Sequence, residues 1–161
     1  MKIEKSVLPS DNEGLLKDLK LFISEIESPE KREEILVNPY LFLSSGQFPV
    51  LHKFIKNSRA MLMSFNISFK KLISEINIFN SCSRCLVFVY LSTLALLGRV
   101  GSGINNLSDI IGELIDLLSD FFGDVFSLGL VSEFLKRLNQ KISLRVLSKR
   151  ICEQLNQCDT N

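Results

Sequence analysis

Apolar positions recur at three- and four-residue spacing along most of the chain, and no segment alternates long enough to predict a strand. Leu15, Leu16, Leu19, Phe22, Ile23 and Ile26 share one side of the stretch Asn12 to Ile26, with Lys17, Lys20, Ser24 and Glu25 opposite, which predicts an amphipathic helix. Ser28-Pro29-Glu30 offers an N-cap, a first-turn proline and an acidic first turn, so a second helix is expected to run to Val37 and stop before Asn38-Pro39. Tyr40 to Pro49 reads as an apolar linker. Val50, Leu51, Phe54, Ile55, Met61 and Leu62 mark a further helix, and Phe69, Leu72, Ile73, Ile76 and Phe79 another, with the break expected at Asn66 or Ser68. Behind an Asn106 cap, Leu107, Ile110, Ile111, Leu114, Ile115, Leu118, Phe121 and Phe122 form a broad apolar face. Val131, Phe134, Leu135 and Leu138 begin another helix, and Ser143 to Leu155 turns Leu144, Leu147, Ile151 and Leu155 inward.

One segment departs from this amphipathic pattern. Cys85 to Gly98 (CLVFVYLSTLALLG) carries no charge; it is entered through Ser83-Arg84 and left through a glycine-rich bend at 98–103. A helix that is apolar all round needs either lipid or a jacket of other helices. At about 1.5 Å per residue this run reaches roughly 20 Å, short of a bilayer core of about 30 Å, so the jacket is expected. The fold class that follows is all-α, a single-domain helical bundle over residues 1–161 with a buried central helix, and with 1–11 and 157–161 as flexible tails.

A formal net charge of +1 removes the basic field of a dedicated nucleic-acid binder, and no stretch interleaves aromatics with Lys and Arg. The N-terminal residues hold no apolar signal core, so a cytosolic chain is expected, with membrane contact only peripheral or through partners. The sequons Asn66-Ile67-Ser68 and Asn106-Leu107-Ser108 would matter only in a secreted protein. Cys82 and Cys85 form a Cys-x-x-Cys pair beside Arg84, a setting that lowers a thiol pKa, yet no strand–helix alternation surrounds it. The spacing of Cys152 and Cys158 does not suit a zinc ribbon either, and four buried thiols in a reducing compartment are expected. Lys136, Arg137, Lys141, Arg145, Lys149 and Arg150 crowd one end, a cluster suited to an acidic membrane surface or protein, and Asp109, Glu113, Asp116 and Asp120 line one helix side, suited to a basic partner; solvated helix faces account for both as well.

Catalytic chemistry is hard to place. His52 is the single histidine and has no nucleophile–acid arrangement near it, no carboxylate pair stands out, and the glycines at 98, 101 and 103 fit neither a P-loop nor a dinucleotide fingerprint. No catalytic residue, cofactor or metal is expected.

An apolar central helix, hairpinned to a second one and surrounded by shorter amphipathic helices, resembles the Bcl-2 (B-cell lymphoma 2) fold of apoptosis regulators. That family's first homology motif ends Asn-Trp-Gly-Arg and runs into the central helix; here Ser81-Cys82-Ser83-Arg84 runs into Cys85-Leu86-Val87-Phe88-Val89, matching at Arg84. The second motif reads Trp-Ile-x-x-x-Gly-Gly-Trp-x-x-Phe, and Asp124 to Phe134 (DVFSLGLVSEF) keeps Gly129 and Phe134. The tryptophans of both motifs and the Asn and Gly of the first are replaced, as in divergent viral members. The resemblance spans about Gly14 to Leu138 and implies a groove that takes the amphipathic death-motif helix of pro-apoptotic family members. Apolar anchors would enter pockets while an Asp of the ligand meets the arginine. It assigns partner binding to Arg84, Phe69, Leu72, Ile76, Phe79, Val87, Phe88, Gly129 and Phe134. Two alternatives stay open. One is a closed-groove relative that binds host signalling proteins or a second copy of itself through outer faces; the other is a membrane-active protein that inserts the hairpin from Cys85 to Phe122.

Overall fold

The computed structural model describes residues 7–76, 78–99, 107–123 and 143–159, which contain eight helices and no strand. In chain order these are α1 (Val7–Glu27), α2 (Pro29–Val37), α3 (Pro39–Leu43), α4 (Pro49–Ile55), α5 (Arg59–Ser74), α6 (Ser81–Gly98), α7 (Leu107–Phe122) and α8 (Leu144–Gln154). The charge-free run lies in α6, where every residue from Cys85 to Leu96 is buried. Helices α1, α4, α5, α7 and α8 all pack on it. Asn80 starts α6 earlier than the apolar run suggests, so the helix has 18 residues and by length and composition alone could cross a membrane. Its side chains meet protein instead: 78% of it is buried. Ser92 survives in this setting by donating to the Phe88 carbonyl one turn back, at 2.6 Å.

Aromatic rings fill the space around α6 in two groups. Phe22 of α1 stands edge-on to Phe69 at 5.9 Å, Phe69 stacks on Phe65 at 5.5 Å, and Tyr90 of α6 closes on both. On the other side Phe88 stacks on Phe121 of α7 at 4.3 Å, with Phe122 edge-on. Pairs in these geometries add about 0.5–1.5 kcal/mol each beyond the area they bury.

Two element boundaries differ from the sequence pattern for a polar reason. Residues 39–43 are not linker but helix: Pro39 supplies the first-turn residue, and Asn38 Oδ1 accepts from the Leu41 N–H at 3.1 Å. The break expected at Asn66 or Ser68 falls at residues 56–58, where Ser58 Oγ donates to the Leu94 carbonyl of α6 at 2.9 Å. Asn66 sits inside α5 and spends its side chain on α3, accepting from the Tyr40 N–H and donating to Asn38 Oδ1. The first helix also begins earlier than expected, at Val7. Beyond α8 the chain is tied rather than loose. Asn156 takes φ 58°, and the Asn156 and Gln157 N–H groups bond back to Glu153 and Cys152, a Schellman closure. The helix expected from Val131 lies outside the described residues.

Helix α4 is capped from a distance. The residue at its N-cap is Phe48, which has nothing to offer, and Asp18 of α1 accepts from the Val50 and Leu51 N–H groups at 2.8 and 3.0 Å. Burial pushes the Asp18 carboxyl above its ordinary range, although the two N–H bonds pull the other way. At the far end of α6, the buried Arg99 lays its guanidinium over Phe54 at 5.1 Å and donates to Asn12 Oδ1. Asn12 in turn donates to Glu113, so α6, α1 and α7 are wired together. His52 faces the Tyr40 hydroxyl at 3.1 Å, and burial lowers its pKa, a structural role for the single histidine.

Two stability predictions follow from these contacts. A Cβ built at Gly98 comes within 1.8 Å of the Phe54 carbonyl oxygen, a backbone atom that cannot step aside, so Gly98→Ala should cost about 1–3 kcal/mol or more in urea unfolding. Asp18→Ala strips two helix-end donors of their acceptor and should cost about 1–2 kcal/mol, with Asp18→Asn milder because it keeps an oxygen. A raised folded-state pKa means the protonated form is favoured by folding. The advantage of wild type over Asp18→Asn should therefore be greatest at acid pH and shrink as pH rises through the Asp18 value, as read by unfolding across a pH series.

Candidate functional site

The first turn of α6 gathers the sequence features that could carry chemistry. Asn80 Oδ1 accepts from the Ser83 N–H and Ser83 Oγ accepts from the Asn80 N–H, both at 3.2 Å, a reciprocal capping box that also explains why Ser83 is fully buried. The turn then projects Cys82, Arg84 and Cys85 in fixed directions.

Arg84 leaves this turn toward solvent and donates from Nε to Glu27 Oε1 at 2.8 Å. Each charge alone would oppose its own helix: a cation at the start of α6, an anion at the end of α1. Paired, each sits at the helix end that favours it. The side chains remain 38% and 41% exposed, so this is a surface ion pair, with a stabilisation of about 0–1 kcal/mol.

Beside Arg84 opens a cleft of about 310 Å³ lined by Glu75, Ile76, Ile78, Asn80, Cys82 and Ser83. Ile78 stands 74% exposed at its lip. Glu75 draws Arg145 Nη1 to 3.4 Å and Lys149 Nζ to 3.9 Å, joining α8 to the end of α5. Arg150 pairs with Glu153 at 3.7 Å, so the described part of the basic cluster is spent on local ion pairs. On α7, Asp109, Asp116 and Asp120 are exposed and Glu113 accepts from Asn12.

The four cysteines, expected as free thiols, are all paired: Cys82 with Cys158 and Cys85 with Cys152. Cys82 and Cys85 lie one turn apart on α6, while Cys152 shares the apolar face of α8 with Leu144, Leu147 and Ile151. The Schellman closure after α8 swings Cys158 back to within a Cα–Cα distance of 4.6 Å from Cys82. The signal present in the sequence was an even cysteine count with two members on one inward helix face. Which cysteine meets which depends on the return of the chain end. On a chain-entropy account, the outer bond, spanning 76 positions, contributes about 4.5 kcal/mol. The inner bond then closes a ring of only roughly ten residues and adds about 3 kcal/mol.

The partner-binding positions separate into groups. Phe69, Leu72, Val87 and Phe88 are core residues, each at most 3% exposed, which explains the surplus of aromatics without a groove. Phe79 is half-buried beneath the Arg32 guanidinium, 5.6 Å from its ring centre. Ile76 lines the cleft and Arg84 leaves from the turn beside it; these two the fold does bring to one corner. Gly129 and Phe134 lie outside the described residues. Glu27 and Glu75, which set the electrostatics of the corner, were not visible from sequence because their partners come from other helices.

No family model matches the chain, and neither does any curated protein or solved structure.

Because the Arg84–Glu27 pair is solvent-exposed, Arg84→Ala and Glu27→Gln should each leave the urea midpoint close to wild type, within about 1 kcal/mol. A larger loss for either would show that the pair holds α1 to α6.

Proposed function

We propose that the protein is a non-enzymatic, Bcl-2-like interaction protein that captures the amphipathic death-motif helix of pro-apoptotic partners at the Arg84 end of α6. One observation carries this reading: an arginine on the first turn of the buried central helix reaches solvent, held by a carboxylate that a ligand can replace at little cost. A ligand Asp would take over from Glu27, and apolar anchors at helical spacing would follow the cleft from Ile78 toward Ile76. The resemblance at Arg84, Gly129 and Phe134 points the same way. In this reading the protein acts as an inhibitor of apoptosis in the cytosol of a host cell, recruited to mitochondria through its partners. With Phe69, Leu72, Val87 and Phe88 enclosed, the described form is a closed one.

A second reading is favoured by that same enclosure: a closed module that binds signalling proteins, or a second copy of itself, through outer faces. Val37, Leu41 and Ile67, between 64% and 76% exposed, are its apolar surface residues.

Calorimetry with a panel of death-motif peptides separates the two. Arg84→Ala should weaken binding by more than about tenfold and Arg84→Glu further, through like-charge repulsion, whereas Glu27→Gln should strengthen it about two- to threefold by freeing the arginine. Absence of binding by folded protein, bonded and reduced alike, removes the groove and leaves the closed module. Binding that Arg84→Glu does not alter places the contact elsewhere.

A further inference from the structure

We propose that the four cysteines are a latch: bonded between elements they hold α8 on α6, and exchange to the pairs Cys82–Cys85 and Cys152–Cys158 releases it. The proposal rests on the helix-binding reading for its purpose, since the departure of α8 bares apolar surface on α6 that a partner helix could take.

The geometry provides both pairings. Cys82 and Cys85 are three residues apart in one helical turn, a Cα separation of about 5 Å, within the roughly 4.4–6.8 Å that a disulfide spans. The Cys158 N–H donates to the Cys152 carbonyl at 3.2 Å, so these two backbones already touch. A disulfide within one turn of a helix, or within one tight chain reversal, places no constraint between α6 and α8. The existing pairs do: Cys85–Cys152 joins α6 to α8, and Cys82–Cys158 joins α6 to the chain reversal that follows it.

Access sets the order of events. Cys85 and Cys152 are fully buried, whereas Cys82 is half-buried and Cys158 is 9% exposed, so the outer bond is the one a thiol reaches. Cys82 is also the better leaving group, because its thiolate sits in the first turn of α6, where the helix N-terminus favours negative charge. A small thiolate such as glutathione attacks Cys158 Sγ, forming a mixed disulfide and expelling Cys82 as thiolate. Cys82 attacks Cys85 Sγ, forming Cys82–Cys85 and expelling Cys152. Cys152 attacks Cys158 Sγ, forming Cys152–Cys158 and returning the small thiolate. Two disulfides enter and two leave, with no net oxidation and the thiol regenerated.

What then holds α8 is no longer covalent. It has 11 residues, shorter than a helix that persists alone in water, and its ion pairs to Glu75 are largely exposed. Its face of Leu144, Leu147 and Ile151 is the remaining attachment.

The test incubates the intact protein with catalytic reduced glutathione under argon, then maps linkages by acid-quenched, non-reducing peptide mass spectrometry and follows amide hydrogen exchange. The expected result is peptides joined Cys82–Cys85 and Cys152–Cys158, with exchange in residues 143–159 at least about tenfold faster while α1 and the body of α6 stay protected. Recovery of cross-element linkages alone overturns the exchange, and switched linkages with unchanged α8 protection overturn the latch. Cys158→Ser gives an independent check, because it leaves a free Cys82 thiol beside the inner bond. A Cys82–Cys85 linkage with Cys152 free should form without added thiol, and persistence of Cys85–Cys152 contradicts the relay. Peptide binding measured on the exchanged form reads the function separately: linkage exchange with α8 release but no peptide binding retires the groove reading and leaves the latch standing.

Discussion

A helix with no polar face has to be surrounded, and the enclosure of α6 is the constraint on which the rest of this molecule depends. Apolar residues on all sides of an 18-residue helix cannot be satisfied by one neighbour, so α1, α4, α5, α7 and α8 each give up an apolar face to it. The aromatic rings follow from that arrangement. Phe65 and Phe69 meet Tyr90 on one side of α6 with Phe22 behind Phe69, Phe121 and Phe122 meet Phe88 on another, and a residue that looks like a groove wall in the sequence becomes interior. Of the polar groups drawn into this interior, Ser92 bonds to its own helix, whereas the Thr93 hydroxyl has no partner among the described residues.

Short helices around a central one create a second demand, because every helix end leaves backbone donors or acceptors unpaired. Helices α3 and α4 have only five and seven residues and could not persist alone. Their ends are satisfied by side chains from elsewhere: Asp18 of α1 serves the start of α4, Asn66 of α5 serves α3, and Ser58 takes the Leu94 carbonyl of α6. These bonds are what fixes the jacket in one arrangement, since apolar contact by itself has little direction. Gly98 shows how close the fit becomes, with the end of α6 lying directly on the α4 backbone.

The corner where α6 begins is different in kind. A capping box, an arginine, two cysteines and an open cleft converge there, and the arginine's partner is a surface glutamate at the end of another helix. Two helix dipoles and two side-chain charges balance in the Arg84–Glu27 pair, an arrangement that is locally satisfied yet loosely held. Two disulfides tie the same first turn of α6 to α8 and the chain beyond it, so an exposed ion pair and a covalent anchor share one helical turn. That contrast is the physical basis for treating the corner as the working end of the molecule.

The sequence by itself determined that the fold is helical, which run is central, and where the strongly periodic helices lie. Repetition of apolar residues at helical spacing depends only on neighbours along the chain, and so does the start of α2 at Ser28-Pro29-Glu30. It also brought out Arg84, because a cation at the start of an apolar helix demands a partner. Which partner, and everything else that links distant positions, only the tertiary structure decided. Asn66 resembles a breaker until α3 arrives to use its amide; Phe48 resembles a poor cap until Asp18 replaces it; Phe69 and Phe88 resemble an exposed groove until α1 and α7 cover them. The cysteines make the point most sharply. Their number and inward placement are written in the chain, but the pairing of Cys82 with Cys158 depends on a left-handed turn at Asn156 that folds the last residues back on α6.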